Sequence, residues 1–275
     1  MSRALPVYIP DKAFADEAGK IAARLGSEVI TGLPEKDADK KDARGGSGVE
    51  PLCLLLDSDG LALAGGGMKM RGDLSRLARR VRPGILSGEL LVRAARFKHA
   101  EGRLRAFDAT AGMGEDSLLL AAAGFDVELY EYDPVIALLL EDAVKRAAAG
   151  AGAGGADVDR LAASAGRMHV TCGDSIAAMK GIAAGGAETP DLILLDPMFP
   201  EKRKNSLTKK KFQLIHQLER PCSDEEELLG AALSARPQRI VIKRPVKGPY
   251  LAGVKPDYSI KGKTVRYDCI AVALR

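Results

Sequence analysis

From Leu104 onward, short apolar runs alternate with longer stretches of helical character. Leu104–Asp108, Val127–Glu131, His169–Cys172, Leu192–Leu195 and Arg239–Lys243 have the brevity, apolar content and flanking turn residues of strands. Between them Glu115–Ala123, Pro134–Ala149, Ser175–Lys180 and Asp224–Leu233 read as helices. Pro134 falls at a first turn, where a missing N–H breaks no bond. Tyr258–Ile260 and Val265–Leu274 complete the pattern as an antiparallel hairpin. Such alternation predicts an α/β fold: a doubly wound, Rossmann-like sheet, mostly parallel, with helices on both faces. Ligands of such sheets sit at the carboxyl ends of the strands.

The preceding residues predict a separate small α/β domain over residues 1–87, leaving 88–275 for the main one. Pro6–Ile9 reads as a strand, Lys12–Leu25 as a helix, and Leu52–Leu56 with Leu61–Ala64 as a hairpin around Asp57-Ser58-Asp59-Gly60. Asp73–Val81 and Gly88–Phe97 read as helices separated by a break at Pro83-Gly84. Glu35–Arg44 with Gly45-Gly46-Ser47-Gly48 reads as a solvated, mobile loop, and the Ala/Gly tract Ala147–Ala156 as a flexible connection.

The chain is 46% hydrophobic but only 4% aromatic and has no Trp, so Leu, Ala, Val and Ile must fill its core. The net charge of +4 is a mild lean toward a polyanionic partner, and its distribution says more. Residues 71–105 carry ten Lys/Arg against three Asp/Glu, and residues 201–211 carry six against one. The four cysteines, Cys53, Cys172, Cys222 and Cys269, form no CxxC pair, which speaks against zinc and fits a reducing compartment. The N-terminal residues lack the apolar core of a signal peptide, and no stretch reaches the roughly 18 apolar residues of a membrane helix. A soluble, cytoplasmic protein is expected.

Asp108-Ala109-Thr110-Ala111-Gly112-Met113-Gly114-Glu115-Asp116 joins the first core strand to its helix. Gly112 and Gly114 permit a tight turn and close approach of backbone to a ligand. Alone, a GxG is equally an ordinary strand–helix turn. Glu131, at the end of the next strand, strengthens the case, because a carboxylate there accepts both ribose hydroxyls of a nucleoside cofactor. Asp133, followed by Pro134, suits a helix cap instead. Glu115 and Asp116 stand at the helix start, where a pyrophosphate would bind and two carboxylates would repel it. They suit a cofactor with a cationic amino-acid end, such as S-adenosylmethionine, although acids there also complement the helix dipole. Asp174 and Ser175 follow the third strand, with Asp174 placed for the cofactor's adenine amine, for a helix N-cap, or for both.

Asp196-Pro197-Met198-Phe199-Pro200 leaves the fourth strand beside the cofactor loop. An exocyclic amine on a base is a poor nucleophile, so its lone pair must be aimed at the methyl carbon. Asp196 and the carbonyl beside Pro197 would accept the two N–H bonds, and Phe199 would stack on the base. A rigid proline-bounded loop with Phe199 in the core is the structural alternative. Lys202, Arg203, Lys204, Lys209, Lys210 and Lys211 follow, with Lys243 and Arg244 at the end of the fifth strand. These are candidate phosphate contacts for RNA, against the plainer readings of solvated surface charge for the lysine-rich run and of a pair with Asp or Glu for Arg244.

With these residues assembled, the chain resembles the class I S-adenosylmethionine-dependent methyltransferases. More narrowly, it resembles the small-subunit ribosomal RNA methyltransferase J family. The likeness lies in Phe107–Asp116, in Leu195–Pro200 with its lysine tail, in Val241-Ile242-Lys243-Arg244-Pro245 and in Gly88-Glu89-Leu90-Leu91. It covers about residues 88–274. The resemblance implies a seven-stranded sheet whose last strand is antiparallel, S-adenosyl-L-methionine as cofactor, no metal, and transfer to a guanine N2 in 16S rRNA or the small ribosomal subunit. It places cofactor contacts on Glu115, Asp116, Glu131, Tyr132, Asp174, Ser175 and Asp196. Asp108, Gly112 and Gly114 join them from the loop. Two positions depart from the family pattern: Glu115 stands where an Arg is common, and Tyr132 where a basic residue is common.

Other readings are methylation of an adenine or cytosine amine, a dinucleotide-dependent oxidoreductase, and a non-catalytic RNA-binding protein. The acids at the helix start and the Asp196–Pro200 segment count against the last two.

Overall fold

The computed structural model describes residues 4–33, 52–98, 102–152, 154–197, 212–215, 218 and 224–272. They fall into two compact units, one drawn from Met1–Gly72, Asp133–Ala143 and Glu201–Arg220, the other from Asp73–Tyr132, Val144–Pro200 and Pro221–Arg275. Residues 73–87, assigned from sequence to the N-terminal domain, therefore cluster with the second unit.

In the first unit the chain runs β1 (Val7–Ile9), α1 (Ala15–Leu25), β2 (Val29–Thr31), β3 (Cys53–Asp57), β4 (Gly60–Gly65) and β5 (Met68–Arg71). The five-stranded sheet has the order β2-β1-β3-β4-β5. β1 pairs in parallel with β2 and β3, and β3, β4 and β5 form an antiparallel meander. α1 buries Ala18, Ile21, Ala22 and Leu25, one stripe of helical period, and ends at Gly26 with φ 62°, a left-handed cap that glycine adopts without Cβ strain. At the expected hairpin Asp57 faces Gly60, and Lys69 and Arg71 reach the Asp57 carboxylate at 2.6 and 2.5 Å. β2 and β5 are additions to the sequence reading. The Glu35–Arg44 loop lies outside the described residues.

The chain continues with α2 (Pro83–Leu86), α3 (Leu90–Ala95), β6 (Arg105–Asp108), α4 (Glu115–Ala122), β7 (Asp126–Glu131), α5 (Pro134–Ala149), α6 (Ala156–Ala165), β8 (Met168–Cys172), α7 (Ser175–Ala183) and β9 (Leu192–Leu195). A single turn, α8 (Phe212–Ile215), precedes α9 (Glu225–Ser234), β10 (Arg239–Pro245), β11 (Tyr258–Lys261) and β12 (Val265–Ala271). Two expectations are corrected. Pro83 opens α2 instead of breaking a helix, since its fixed φ suits a first turn. Within Asp73–Val81 the helical character is limited to a 3-10 turn at Ser75–Leu77. The Ala/Gly tract hides the start of α6, at Ala156.

The second sheet has the order β11-β12-β10-β9-β6-β7-β8. β10, β9, β6, β7 and β8 are mutually parallel, and β12 runs antiparallel to both of its neighbours. This is the seven-stranded doubly wound arrangement with an antiparallel last strand. The strand order reverses between β6 and β9, so the loops leaving these two strands open side by side at a switch point. All four residues of β9 are buried, as a central strand covered on both faces requires. Phe107, Ile193, Leu195, Ile240 and Ile242 pack against Met179 of α7 and Leu228, Leu229 and Ala232 of α9. No helix among the described residues is long and apolar enough to cross a membrane.

Candidate active site

The loop from β6 to α4 is fixed from beneath by Asp108. This side chain is 2% exposed and accepts from the Thr110 amide at 3.0 Å and from the Ser117 hydroxyl. Burial drives its pKa from 3.8 to about 7, against the hydrogen bonds of Ser117 and Thr110, with Asp116 and Asp196 adding to the rise. Asp108 was expected to touch the cofactor. In the structure it is buried and supports the loop through Thr110 and Ser117.

Gly112 and Gly114 carry φ of 51° and 72°, the left-handed region that favours glycine. The Gly112 amide donates to Glu131 Oε2 at 3.0 Å, and the Ala111 amide to the Tyr130 carbonyl at 3.1 Å. The glycine loop is thereby tied to the end of β7 through Glu131. Tyr132, 59% exposed, follows it. Asp133 caps α5, its Oδ1 accepting from the amides of Val135 and Ile136 at 2.9 and 3.2 Å. Asp174, exposed after β8, caps α7 by accepting from Ile176 and Ala177 at 2.9 and 3.3 Å. Ser175 opens that helix.

Each acid at the start of α4 has a basic partner. Arg76, in the 3-10 turn before α2, pairs with Glu115. Lys243 Nζ lies 2.8 Å from Asp116 Oδ2 and 2.9 Å from Asp196 Oδ2. Burial opposes the charge on Lys243, but the two carboxylates outweigh it and hold the ammonium above the ordinary lysine range. Asp196 keeps 42% of its side-chain surface, yet dense surroundings desolvate it and push its pKa up, with Lys243 pulling the other way. Its own amide donates to Thr110 Oγ1 at 2.7 Å. Pro197, buried, follows.

Lys243 and Arg244 were expected at the rim as phosphate contacts, with a pair to Asp or Glu as the alternative for Arg244, and in the structure both lie against carboxylates. The Lys243 ammonium is engaged by two carboxylates. Arg244 is 1% exposed, donates Nε to the Pro249 carbonyl at 2.9 Å and has Nη1 4.0 Å from Glu225. The segment after β10 is held by Arg266 of β12. Its Nη1 donates to the carbonyls of Pro245 and Val246 at 2.8 Å and of Gly248 at 3.0 Å, while Nε meets Asp268 at 2.9 and 3.0 Å. Phe199, Lys202, Arg203, Lys204, Lys209, Lys210 and Lys211 lie outside the described residues. Sequence reasoning missed the roles of Thr110 and Arg76 and the bridge made by Lys243, because each depends on a partner distant in the chain. The only sequence signal was the co-occurrence of the loop, strand-end and Lys243-Arg244 segments.

A doubly wound sheet with an inserted antiparallel strand, a glycine loop at its switch point and carboxylates at the ends of β7 and β9 define a class I S-adenosylmethionine-dependent methyltransferase. The chain matches the family described as "Putative SAM-dependent methyltransferase" over residues 51–272. It is 39% identical over 230 residues to Ribosomal RNA small subunit methyltransferase J of Thioalkalivibrio sulfidiphilus, covering 82% of this chain and 86% of that relative. Its identity to the protein of the same name from Stutzerimonas stutzeri is 38% over 258 residues, covering 93% and 91%. Among solved structures, the SAM-dependent methyltransferase NGO1261 from Neisseria gonorrhoeae shares the fold, with a TM-score of 0.68, 24% identity and coverage of 97% and 96%. The chain belongs to the ribosomal RNA small subunit methyltransferase J family. It is an enzyme whose cofactor is S-adenosyl-L-methionine.

Proposed function

We propose that this enzyme methylates the exocyclic N2 of a guanine in small-subunit ribosomal RNA, in the cytoplasm. The observation that carries this reading is the placement of Asp196. It is a part-exposed carboxylate at the switch point, held through its amide by Thr110 and through Oδ2 by Lys243. The names of the relatives support the RNA class.

The cofactor supplies an activated methyl group on a sulfonium, so the protein needs neither a covalent nucleophile nor a Lewis acid. Glu131 accepts the ribose hydroxyls, while Asp174, with Ser175 beside it, accepts the adenine amine. Asp116 and Glu115 receive the ammonium of the amino-acid end. The turn at Gly112 and Gly114 lets the backbone approach closely, and Tyr132 flanks the nucleoside. With the cofactor bound, Asp196 and the carbonyl beside Pro197 would accept the two N–H bonds of the acceptor amine and so aim its lone pair at the methyl group the cofactor supplies. As the N–C bond forms, the surplus proton on nitrogen passes to the Asp196 carboxylate and on to water. Phe199 stacks on the base, which must be splayed or flipped to reach the pocket. Lys202, Arg203, Lys204, Lys209, Lys210 and Lys211 contact phosphates and set the RNA's position.

The test is methyl transfer from labelled cofactor to unmodified small ribosomal subunits, wild type beside Asp196→Ala, followed by nucleoside analysis. Label in N2-methylguanosine, lost in the variant, is expected. Label in methyladenosine or methylcytidine would move the acceptor to another base. Cofactor binding without transfer to any subunit or RNA would overturn the reading.

A further inference from the structure

Three elements meet at one nitrogen. Lys243 lies on β10, Asp116 in the first turn of α4, and Asp196 just beyond β9. With Nζ at 2.8 and 2.9 Å from one oxygen of each, those two oxygens lie within about 6 Å of one another, a range at which like charges disfavour each other's ionisation. The lysine is 27% exposed and Asp116 17%, so solvent screens the trio only in part. Lys243 is paired in the sheet with Tyr267 of β12, so its backbone is set by a central ladder and not by a loop.

We propose that Lys243 is a positioning residue for methyl transfer: it ties the carboxylate that receives the cofactor's amino-acid end to the carboxylate that orients the acceptor amine. It occupies Asp196 Oδ2 and favours the ionised form of Asp196, which leaves Oδ1 for the amine. On the cofactor side it shares Asp116 with the incoming ammonium, so the two halves of the site are electrostatically coupled. The role in transfer rests on the proposed function of Asp196, whereas the hold on the two carboxylates does not.

Among the described residues, a small set of charged and titratable groups bears on the trio. Asp108 lies beneath the loop on β6, Tyr267 stands beside Lys243 on β12, and Arg244 follows on β10. Arg80 acts on Tyr267 and is itself drawn to Glu89, Asp116 and Glu115. Lys243 is the cation closest to both carboxylates among the described residues. Burial already pushes Asp196 upward, and Lys243 is the largest influence opposing it. Removing the ammonium while keeping the chain length should therefore raise the Asp196 midpoint, and the acid limb of transfer with it.

The experiment compares wild type with Lys243→Met, Lys243→Gln and Lys243→Arg. Carbon-detected NMR follows the Asp196 carboxyl through a pH titration in cofactor-free protein, assigned with Asp196→Asn. Calorimetry gives cofactor affinity, and single-turnover transfer to small subunits gives rate against pH. In both uncharged variants the Asp196 midpoint and the acid limb of the rate should rise together by about one pH unit, roughly a tenfold loss of rate at acidic pH. Lys243→Arg should restore both. An unmoved Asp196 midpoint in a folded uncharged variant overturns the inference, as does a uniform loss of RNA affinity with no change in pH profile. The second uncharged variant covers failure of the first to fold. If Asp196 shifts while wild type methylates no guanine, the acceptor reading falls and the coupling stands. If wild type methylates guanine and the uncharged variants keep the wild-type acid limb, the acceptor reading stands and the positioning role falls.

Discussion

The backbone amide of Asp196 donates to the side-chain hydroxyl of Thr110 at 2.7 Å, across a gap of 86 residues in sequence. The loop between β6 and α4 thus anchors the first residue of the segment leaving β9. Two segments that looked like separate motifs are joined, so that in the proposed site the turn assigned to the cofactor would also set where the acceptor carboxylate begins. Thr110→Val keeps the shape and removes the acceptor. Its expected cost is about 1 kcal/mol of positioning, or roughly a fivefold fall in kcat. The cofactor's Kd should stay within about twofold, and Thr110→Ser should recover the rate. Single-turnover kinetics beside calorimetry separates the two quantities.

Glu131 has one observed task and one proposed, which a pair of substitutions can divide. Its Oε2 accepts the Gly112 amide and so holds the glycine turn against β7. The proposed task is to accept the ribose hydroxyls. Glu131→Gln keeps a carbonyl for Gly112 but loses the second anionic oxygen, so cofactor affinity should fall roughly tenfold with little change in stability. Glu131→Ala should lose the same affinity and also about 1 kcal/mol of folding stability, as the loop amide goes unpaired. Urea melts with and without cofactor read both effects.

Asp108 makes stability depend on pH. Burial holds its folded-state pKa at about 7, above the value of 3.8 for a free carboxyl. Between those two values the folded state binds more protons than the unfolded one, so stability falls as pH rises through the window. Below about pH 4 the residue contributes no slope, and above about pH 7 its cost is constant, on the order of a few kcal/mol. Asp108→Asn should remove this slope, leaving the variant close to wild type at low pH and more stable than wild type at about pH 8. Urea midpoints across that range provide the measurement, and parallel slopes in both proteins would refute it.

Arg266 is the buried cation that closes the segment after β10. It meets Asp268 at 2.9 and 3.0 Å and three backbone carbonyls within 3.0 Å, and its guanidinium lies 5.1 Å from the Tyr250 ring centre. Arg266→Ala strands a buried carboxylate and the carbonyls, at an expected cost of about 3–5 kcal/mol. Arg24→Ala breaks a two-bond ion pair with Glu141 at 2.5 and 2.7 Å, but both partners keep contact with solvent. It should cost about 1 kcal/mol or less. Equal losses in chemical denaturation would show that burial does not set the difference between the two pairs.

The parts of the fold legible in sequence were those in which one segment settles its own structure. Leu192–Leu195 is apolar throughout because a central strand is covered on both faces, and Asp133-Pro134 announces a capped helix start. β2 spans three residues, and β5 alternates methionine with basic residues, so neither carries enough local signal to be seen before its partner is known. Helix α6 begins within a tract whose alanines and glycines read as linker. In the candidate site, Gly112, Glu131 and Asp196 stood out as candidates because a glycine or an acid follows or ends an apolar strand at each. The charge of Lys243 was visible, but its target was not. A lysine followed by Arg-Pro suits a phosphate as well as a carboxylate until the sheet brings Asp116 and Asp196 to it. The burial of Asp108 was hidden for a related reason, since sequence does not show which face of a loop is buried.

The place of β12 between β10 and β11 bears on how the enzyme comes into being during its own translation. β10 emerges from the ribosome first and β11 next, yet neither pairs with the other, and both wait for residues 265–271. A nascent chain halted after β11 therefore exposes β10 as a raw sheet edge, with Lys243 on it and without the Tyr267 neighbour that fixes its register. Docking of one strand, after both of its sheet neighbours have been made, thus closes the sheet and seats the strand that carries Lys243.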